Sequence, residues 1–254
     1  YNQNMSEIYC DWAATALFDT EILEKAYKTS IEFAGNPSSV HKKGIDAKYA
    51  LQNARKRCAT SLGVKEENII FTSGGTESNH IAILSLLNRP VKGSILVSSL
   101  EHPAIREQAE MMKKCGWQVY KIPSDENGII TAESVIKAMK DDTALVSVMA
   151  VNNETGSIMP IYEISDALTN HCAGKRRPKF HVDAVQAAGK IPLDLSYKGI
   201  DFASISAHKI GGPRGIGILY AKDKFEPFLR GGGQENGLRS GTENLFGAEA
   251  ISLC

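Results

Sequence analysis

The chain alternates between short apolar runs and longer amphipathic stretches, and no other feature restricts its fold as strongly. Runs rich in β-branched side chains occupy 69–72, 94–98, 144–151, 180–183, 202–206 and 216–220. Stretches with helical spacing occupy 20–33, 43–61, 77–87, 104–115, 132–139 and 161–172. Strands that alternate with helices are typical of a parallel sheet covered on both faces. The sequence therefore predicts an α/β fold with a mainly parallel central sheet flanked by helices, and a further strand that starts near residue 8.

The length and charge of the chain favour one globular enzyme domain. Its 254 residues include 29 Lys plus Arg and 29 Asp plus Glu, a balance that argues against nucleic acid or an anionic membrane as a partner. No repeat, low-complexity segment or linker marks an internal boundary. We therefore expect an N-terminal segment at 1–18, with a ragged start before Met5, and one cofactor-binding large domain at 19–254.

Apolar runs and cysteines indicate the compartment. The apolar runs fall far short of the ~18 residues that cross a bilayer, and the N-terminus lacks a basic and then apolar signal segment. The five cysteines are irregularly spaced and form no Cys-x-x-Cys pair, so no metal site is expected. Free thiols fit a reducing compartment, and we expect a cytoplasmic protein.

Polar side chains follow the predicted strands at their carboxyl ends, where open parallel sheets bind ligands. These groups are 73–76, 101–103, 152–154, 183 with 186, and 206–209. Because they belong to neighbouring strands, we expect their side chains to meet at one site.

The glycine-rich turn at 72–77 follows a strand and opens a helix, so its backbone N–H groups can bind a phosphate. Such turns are also common without any ligand. The turn lacks the Gly-Lys-Ser/Thr ending of a nucleotide P-loop, which argues against triphosphate chemistry.

Asp183 ends an apolar strand, where an unpaired carboxylate is costly. An isolated Asp in such a place is more often a helix cap or an ion-pair partner. The functional interpretation is a partner for the protonated ring nitrogen of a pyridoxal cofactor, which makes the ring an electron sink.

Lys209 follows the strand at 202–206 and precedes Gly211 and Gly212. Most lysines are solvated surface residues. At a strand end beside Ser206 and His208, however, a partly desolvated amine has a lowered pKa, which Schiff-base chemistry needs. His102 is either a structural histidine or, beside a planar ring, a stacking platform and proton carrier.

Several motifs occur together in the order and spacing of a known family: CDWAAT at 10–15, GNPSSVH at 35–41, IFTSGGTE at 70–77, EHP at 101–103, NNETG at 152–156, HVDAVQ at 181–186, SAHK at 206–209 and RSGTEN at 239–244. With them the chain resembles the cysteine desulfurases, which belong to the class V aminotransferase group of fold-type I pyridoxal phosphate enzymes. The resemblance covers essentially the whole chain, with departures at Trp12, Ala16 and Ala207.

The resemblance implies a role for each matching residue. Lys209, Asp183 and His102 would be catalytic: Lys209 forms the Schiff base with pyridoxal 5'-phosphate, Asp183 pairs with the ring nitrogen and His102 stacks on the ring. Gln186 would bond the ring hydroxyl and Asn153 would lie against the cofactor. Asn36 would lie near the substrate carboxylate. The phosphate would be surrounded by Gly75, Thr76, Ser206 and His208, with Thr242 reaching the phosphate of the partner subunit in a homodimer.

The implied reaction removes sulfur from L-cysteine, gives alanine and leaves a persulfide on an enzyme cysteine, in iron-sulfur cluster or thiolation pathways with sulfur-acceptor or scaffold proteins. Family members continue beyond residue 254 with the loop that carries this cysteine and with a small C-terminal domain, so this chain by itself is expected to bind cofactor without turnover. Two alternatives stay open. One is a related lyase or aminotransferase, for example a selenocysteine lyase, and the other is a non-catalytic scaffold for sulfur transfer.

Overall fold

One seven-stranded sheet organises the computed structural model, which describes residues 8–254. The strands are β1 (Ile69–Thr72), β2 (Ser94–Ser98), β3 (Gln118–Ile122), β4 (Thr143–Met149), β5 (Lys179–Asp183), β6 (Phe202–Ser206) and β7 (Gly217–Ala221). Their order across the sheet is β1-β7-β6-β5-β4-β2-β3. Only β7 runs against its neighbours, so the other strands all end at the same edge.

Helices cover both faces of this sheet. They are α1 (Thr20–Glu32), α2 (Lys42–Ser61), α3 (Gly75–Leu84), α4 (Pro103–Lys114), α5 (Ala132–Ala138), α6 (Ile161–His171) and α7 (Leu245–Leu253). One core contains residues of α2, α5, α6 and α7, and a second contains residues of α3 and α4. In β2, Leu96 packs into the first core and Ile95 and Val97 into the second, because successive strand side chains point to opposite faces.

Burial explains why these segments form strands. Every residue of β2, β4, β6 and β7 is buried, as expected for strands covered by helices on both faces. Phe180 on β5 is fully buried, and its truncation to alanine would cost about 3–5 kcal/mol. None of the helices within 8–254 is both long enough and apolar enough to cross a membrane.

The structure confirms the predicted α/β fold, in which most strand and helix bounds move by only one or two residues. It adds β3, which the sequence did not indicate because this edge strand exposes polar residues such as Gln118 and Lys121. The strand predicted near residue 8 was wrong. Residues 8–19 form no strand and cross the end of β6 instead, where the Ala16 N–H bonds the carbonyl of His208 at 2.8 Å. The expected ragged start before Met5 lies outside the described residues.

Candidate active site

A cavity of about 420 Å³ lies at the edge where the parallel strands end. Its walls come from the ends of β1, β2, β4, β5 and β6, so the polar groups that follow these strands meet at one site. The predicted site residues that line it are Gly75, Thr76, His102, Asn153, Asp183, Gln186, Ser206, His208 and Lys209.

The N-terminus of α3 forms one end of the cavity. Its cap residue, Gly74, has φ 152°, a conformation that side chains disfavour, and supplies no side-chain capping bond to the helix. The first N–H groups of a helix have no partner inside the helix, and the helix dipole makes this end positive. Gly75 and Thr76 therefore present donors that suit an anion.

Asp183 lines the same cavity and is only 5% exposed. Its Oδ1 accepts the Val185 N–H at 3.0 Å and its Oδ2 accepts Nδ2 of Asn79 at 2.8 Å. Within residues 8–254 no Lys, Arg or His nitrogen lies within 4.0 Å of this carboxylate. Burial raises the pKa of Asp183, although the bonds from Val185 and Asn79 oppose this shift. A cationic ligand group would relieve the cost of burying the charge.

Lys209 reaches the segment that crosses the strand ends. Its Nζ donates to the carbonyls of Ala13 at 2.6 Å and Ala14 at 2.7 Å. Partial burial lowers the pKa of Lys209, although Asp11 and Asp183 act to raise it. An amine with a lowered pKa is more often neutral and nucleophilic, as covalent chemistry with a carbonyl requires.

The segment at 11–16 contributes to the wall of the cavity, which no single residue of the segment indicated in the sequence. Gln186 Nε2 donates to the Ala13 carbonyl at 2.8 Å, and His208 Nδ1 lies 3.1 Å from Thr15 Oγ1. Asp11, Ala13 and Ala14 line the cavity. The contact from Gln186 uses a backbone carbonyl, which has no residue-specific signal in the sequence. The motif at 10–15 was the one indication that the segment is close to the site.

His102 caps α4, since its Nδ1 accepts the Ala104 N–H at 3.1 Å. The neighbouring Glu101 is 1% exposed, and its Oε1 accepts Ser98 Oγ and the Met149 N–H, both at 2.7 Å. Burial, reinforced by Asp183, raises the pKa of Glu101 to about 8. Glu101 therefore joins the end of β2 to the end of β4.

Two predicted site residues lie away from the cavity. Thr242 and Asn36 are exposed and absent from its lining, and Asn36 Oδ1 instead accepts the Ser38 N–H at 2.9 Å. None of the cysteines lines the cavity either, and burial raises the pKa of Cys58 to about 12. The described residues contain no cluster of three or more side chains suited to a metal ion.

Comparison with known protein families identifies the fold. Residues 8–253 match the family described as aminotransferase class-V. The chain belongs to this family. Pyridoxal 5'-phosphate is the cofactor of its members.

Individual class-V relatives are cysteine desulfurases. The chain is 41% identical to cysteine desulfurase IscS of Dictyoglomus turgidum, over 95% of the chain and 61% of the relative. It is also 41% identical to putative cysteine desulfurase IscS 1 of Bacillus subtilis, over 98% of the chain and 66% of the relative. The chain thus spans less than two thirds of the length of either curated relative.

Solved structures show the same architecture. A NifS-like protein superposes with a TM-score of 0.92 at 37% identity, over 98% of this chain and 68% of that one. SspA in complex with cysteine superposes with a TM-score of 0.89 at 32% identity, over 97% of this chain and 72% of that one.

The residues of this class-V chain fit the family cofactor. The cavity joins a helix N-terminus without a side-chain cap, which suits a phosphate, to a buried carboxylate that has no basic partner among residues 8–254, which suits a protonated ring nitrogen. Lys209 lines the same cavity and supplies an amine that can react with an aldehyde. The acceptor Oδ1 of Asn79 is also buried without a hydrogen-bond partner among residues 8–254.

Proposed function

We propose that the protein is a pyridoxal-phosphate-dependent cysteine desulfurase, which converts L-cysteine to L-alanine and transfers the sulfur to an enzyme cysteine. One observation carries the proposal: Lys209, Asp183 and the N-terminus of α3 open into a single cavity. The cysteine desulfurases among the relatives favour this reaction over others in the family.

Each part of the cofactor has a proposed partner. The N–H groups of Gly75 and Thr76, with Ser206 and His208, hold the phosphate. At the other end, Asp183 keeps the ring nitrogen protonated, which a charge-assisted hydrogen bond favours by roughly 1.5–3 kcal/mol. The side chains that contact the ring between these ends are proposed to be Gln186 at the hydroxyl, His102 on the ring face and Asn153.

Lys209 has two proposed tasks. Its amine, made less basic by burial, would hold the cofactor at its aldehyde. With a substrate bound, Nζ would move the α proton of the substrate. The cofactor supplies the electron sink for the charge that this proton leaves behind. The carbonyls of Ala13 and Ala14 lie at 2.6 and 2.7 Å from Nζ and would orient it for this proton transfer.

Sulfur transfer needs a thiolate that attacks the substrate sulfur. No cysteine lines the cavity, so we assign this nucleophile to a segment other than those that form the cavity wall. Asn36 is proposed to approach the substrate carboxylate in the assembled enzyme. Thr242 is proposed to reach the phosphate site of a second copy in a homodimer, with sulfur-acceptor or scaffold proteins as later partners in the cytoplasm.

Product analysis on the protein as its gene encodes it tests this function. Incubated with L-cysteine and a thiol reductant, the cofactor-loaded protein should release alanine and sulfide in equal amounts, and Lys209→Ala should release neither. Faster turnover of L-selenocysteine would favour a selenocysteine lyase, and keto-acid formation without sulfide an aminotransferase. Bound cofactor without any product would favour the scaffold.

A further inference from the structure

Asn79 lies one turn into α3, the helix whose N-terminus opens into the cavity. It is 2% exposed, and its Nδ2 donates to Oδ2 of Asp183 at 2.8 Å. Its Oδ1 is buried without a hydrogen-bond partner in the described part of the chain. Burying an amide whose oxygen accepts no hydrogen bond costs free energy. This cost points to a task for the amide nitrogen, which does donate a hydrogen bond.

The two bonds to Asp183 differ in origin. The Val185 N–H reaches Oδ1 within a turn two residues long, so this bond follows from the local chain path. Asn79 is 104 residues away in sequence and holds the other oxygen from a different element. With both oxygens held, the plane of the carboxylate is fixed and its remaining lone pairs are free for a ligand.

The amide can hold Asp183 in one orientation only. Rotating it by half a turn would place Oδ1 against Oδ2 of Asp183, with two acceptors in contact. The unsatisfied Oδ1 is therefore the consequence of keeping the donor on the carboxylate.

We propose that Asn79 is a positioning residue, which orients the Asp183 carboxylate for the ring nitrogen of the cofactor. The inference rests on the proposed function, because it needs Asp183 to bind that nitrogen. It also makes α3 serve both ends of the cofactor, through Gly75 and Thr76 at the phosphate and Asn79 behind the ring.

A comparison of two ligands isolates this role. Pyridoxal 5'-phosphate and its deaza analogue, in which CH replaces the ring nitrogen, carry the same aldehyde and phosphate. The ratio of their dissociation constants therefore measures the recognition of the nitrogen alone. Both constants are measured by fluorescence titration of the apo form of the protein as its gene encodes it.

The unchanged protein should bind the natural cofactor more tightly than the analogue, and Asn79→Leu should reduce this preference by about tenfold or more, the size expected for one hydrogen bond to a charged group. Asn79→Ala, which adds no apolar bulk, gives the same test if the leucine variant does not fold. Ser78→Ala is the matched control, because Ser78 neighbours Asn79 in α3 and the change removes its buried hydrogen bond of 2.7 Å to Thr72 on β1. It should change both constants equally.

An unaltered preference in folded Asn79→Leu or Asn79→Ala would overturn the positioning role. Equal weakening of both ligands would also overturn it, since that is the effect of a purely structural residue. Should the unchanged protein itself show no preference, the role of Asp183 in the proposed function fails, and with it that of Asn79.

Discussion

Arg239 binds Glu77 through two parallel contacts, with Nε 2.8 Å from Oε1 and Nη2 3.0 Å from Oε2. Glu77 Oε2 also accepts the Ser73 N–H at 2.5 Å. The motif at 239–244 is thereby joined to the turn that opens α3, the part of the cavity proposed to hold the phosphate. Burial acts to raise the pKa of Glu77, but the bonds from Arg239 and Ser73 outweigh it and hold this pKa below its ordinary value.

Removing the arginine should loosen the phosphate end. We expect Arg239→Ala to destabilise the fold by about 1–3 kcal/mol, because a half-buried carboxylate loses its partner, and to raise the cofactor dissociation constant. Urea unfolding and fluorescence titration measure the two effects. Arg230→Ala is the control, since its pair with Glu226 is 67% exposed on both sides. Equal cofactor affinities in the two variants would show that Arg239 does not support cofactor binding.

A second arginine protects the edge of the sheet. Arg55 Nη1 and Nη2 bind Glu235 at 2.7 and 2.8 Å, and Glu235 accepts the outward N–H of Phe71 on the edge strand β1 at 2.9 Å. Removing one member of a buried ion pair leaves the other charge buried without a partner. Arg55→Ala should therefore lower the free energy of unfolding in urea by about 3–5 kcal/mol. Lys65→Ala breaks an exposed pair at 3.8 Å and should cost at most about 1 kcal/mol. A loss of stability in Arg55→Ala as small as that in Lys65→Ala would contradict the role of the buried pair between Arg55 and Glu235.

The central strands could be predicted because burial on both faces leaves a continuous apolar run, as in β2, where every residue is buried. The strand ends then placed Asp183 and Lys209 at one edge. Other contacts were not predictable. Asn79 resembles an ordinary polar helix residue until the fold brings Asp183 to it, and the carbonyls of Ala13 and Ala14 act through the backbone, which no side-chain pattern reveals.

The buried carboxyl of Glu101 should make stability depend on pH. Its pKa of about 8 lies above the ordinary 4.5, so its contribution is full below pH 4.5 and is lost as the pH rises through 8. Each pH unit in this window changes the free energy of unfolding by up to about 1.4 kcal/mol for one proton. Glu101→Gln cannot titrate and so lacks this pH dependence. Relative to the unchanged protein, the variant should therefore become more stable as the pH rises from 5.5 to 8. Urea unfolding at both pH values measures the gain, and a difference between the two proteins that does not depend on pH would contradict the titration of a buried carboxyl.

Association should depend on the cofactor if Thr242 contributes to the site of a second copy. Ligand binding that favours the dimer stabilises it by mass action, so removal of cofactor should raise the dimer dissociation constant. Sedimentation at low micromolar protein measures this constant for apo and holo forms, with and without Thr242→Ala. The variant should abolish the difference between the two forms. Identical constants in all four samples would show that Thr242 serves no second copy.

The covalent attachment point of the cofactor tests the account most directly. After reduction of the cofactor-loaded protein with borohydride, peptide mass spectrometry should find the reduced cofactor on Lys209 and on no other lysine. Lys209→Ala should lose the label, whereas Lys190→Ala should keep it, although Lys190 also reaches the site by donating to Gln186 at 2.6 Å. A label on Lys190 or elsewhere, or one that persists in Lys209→Ala, would contradict the assignment of Lys209.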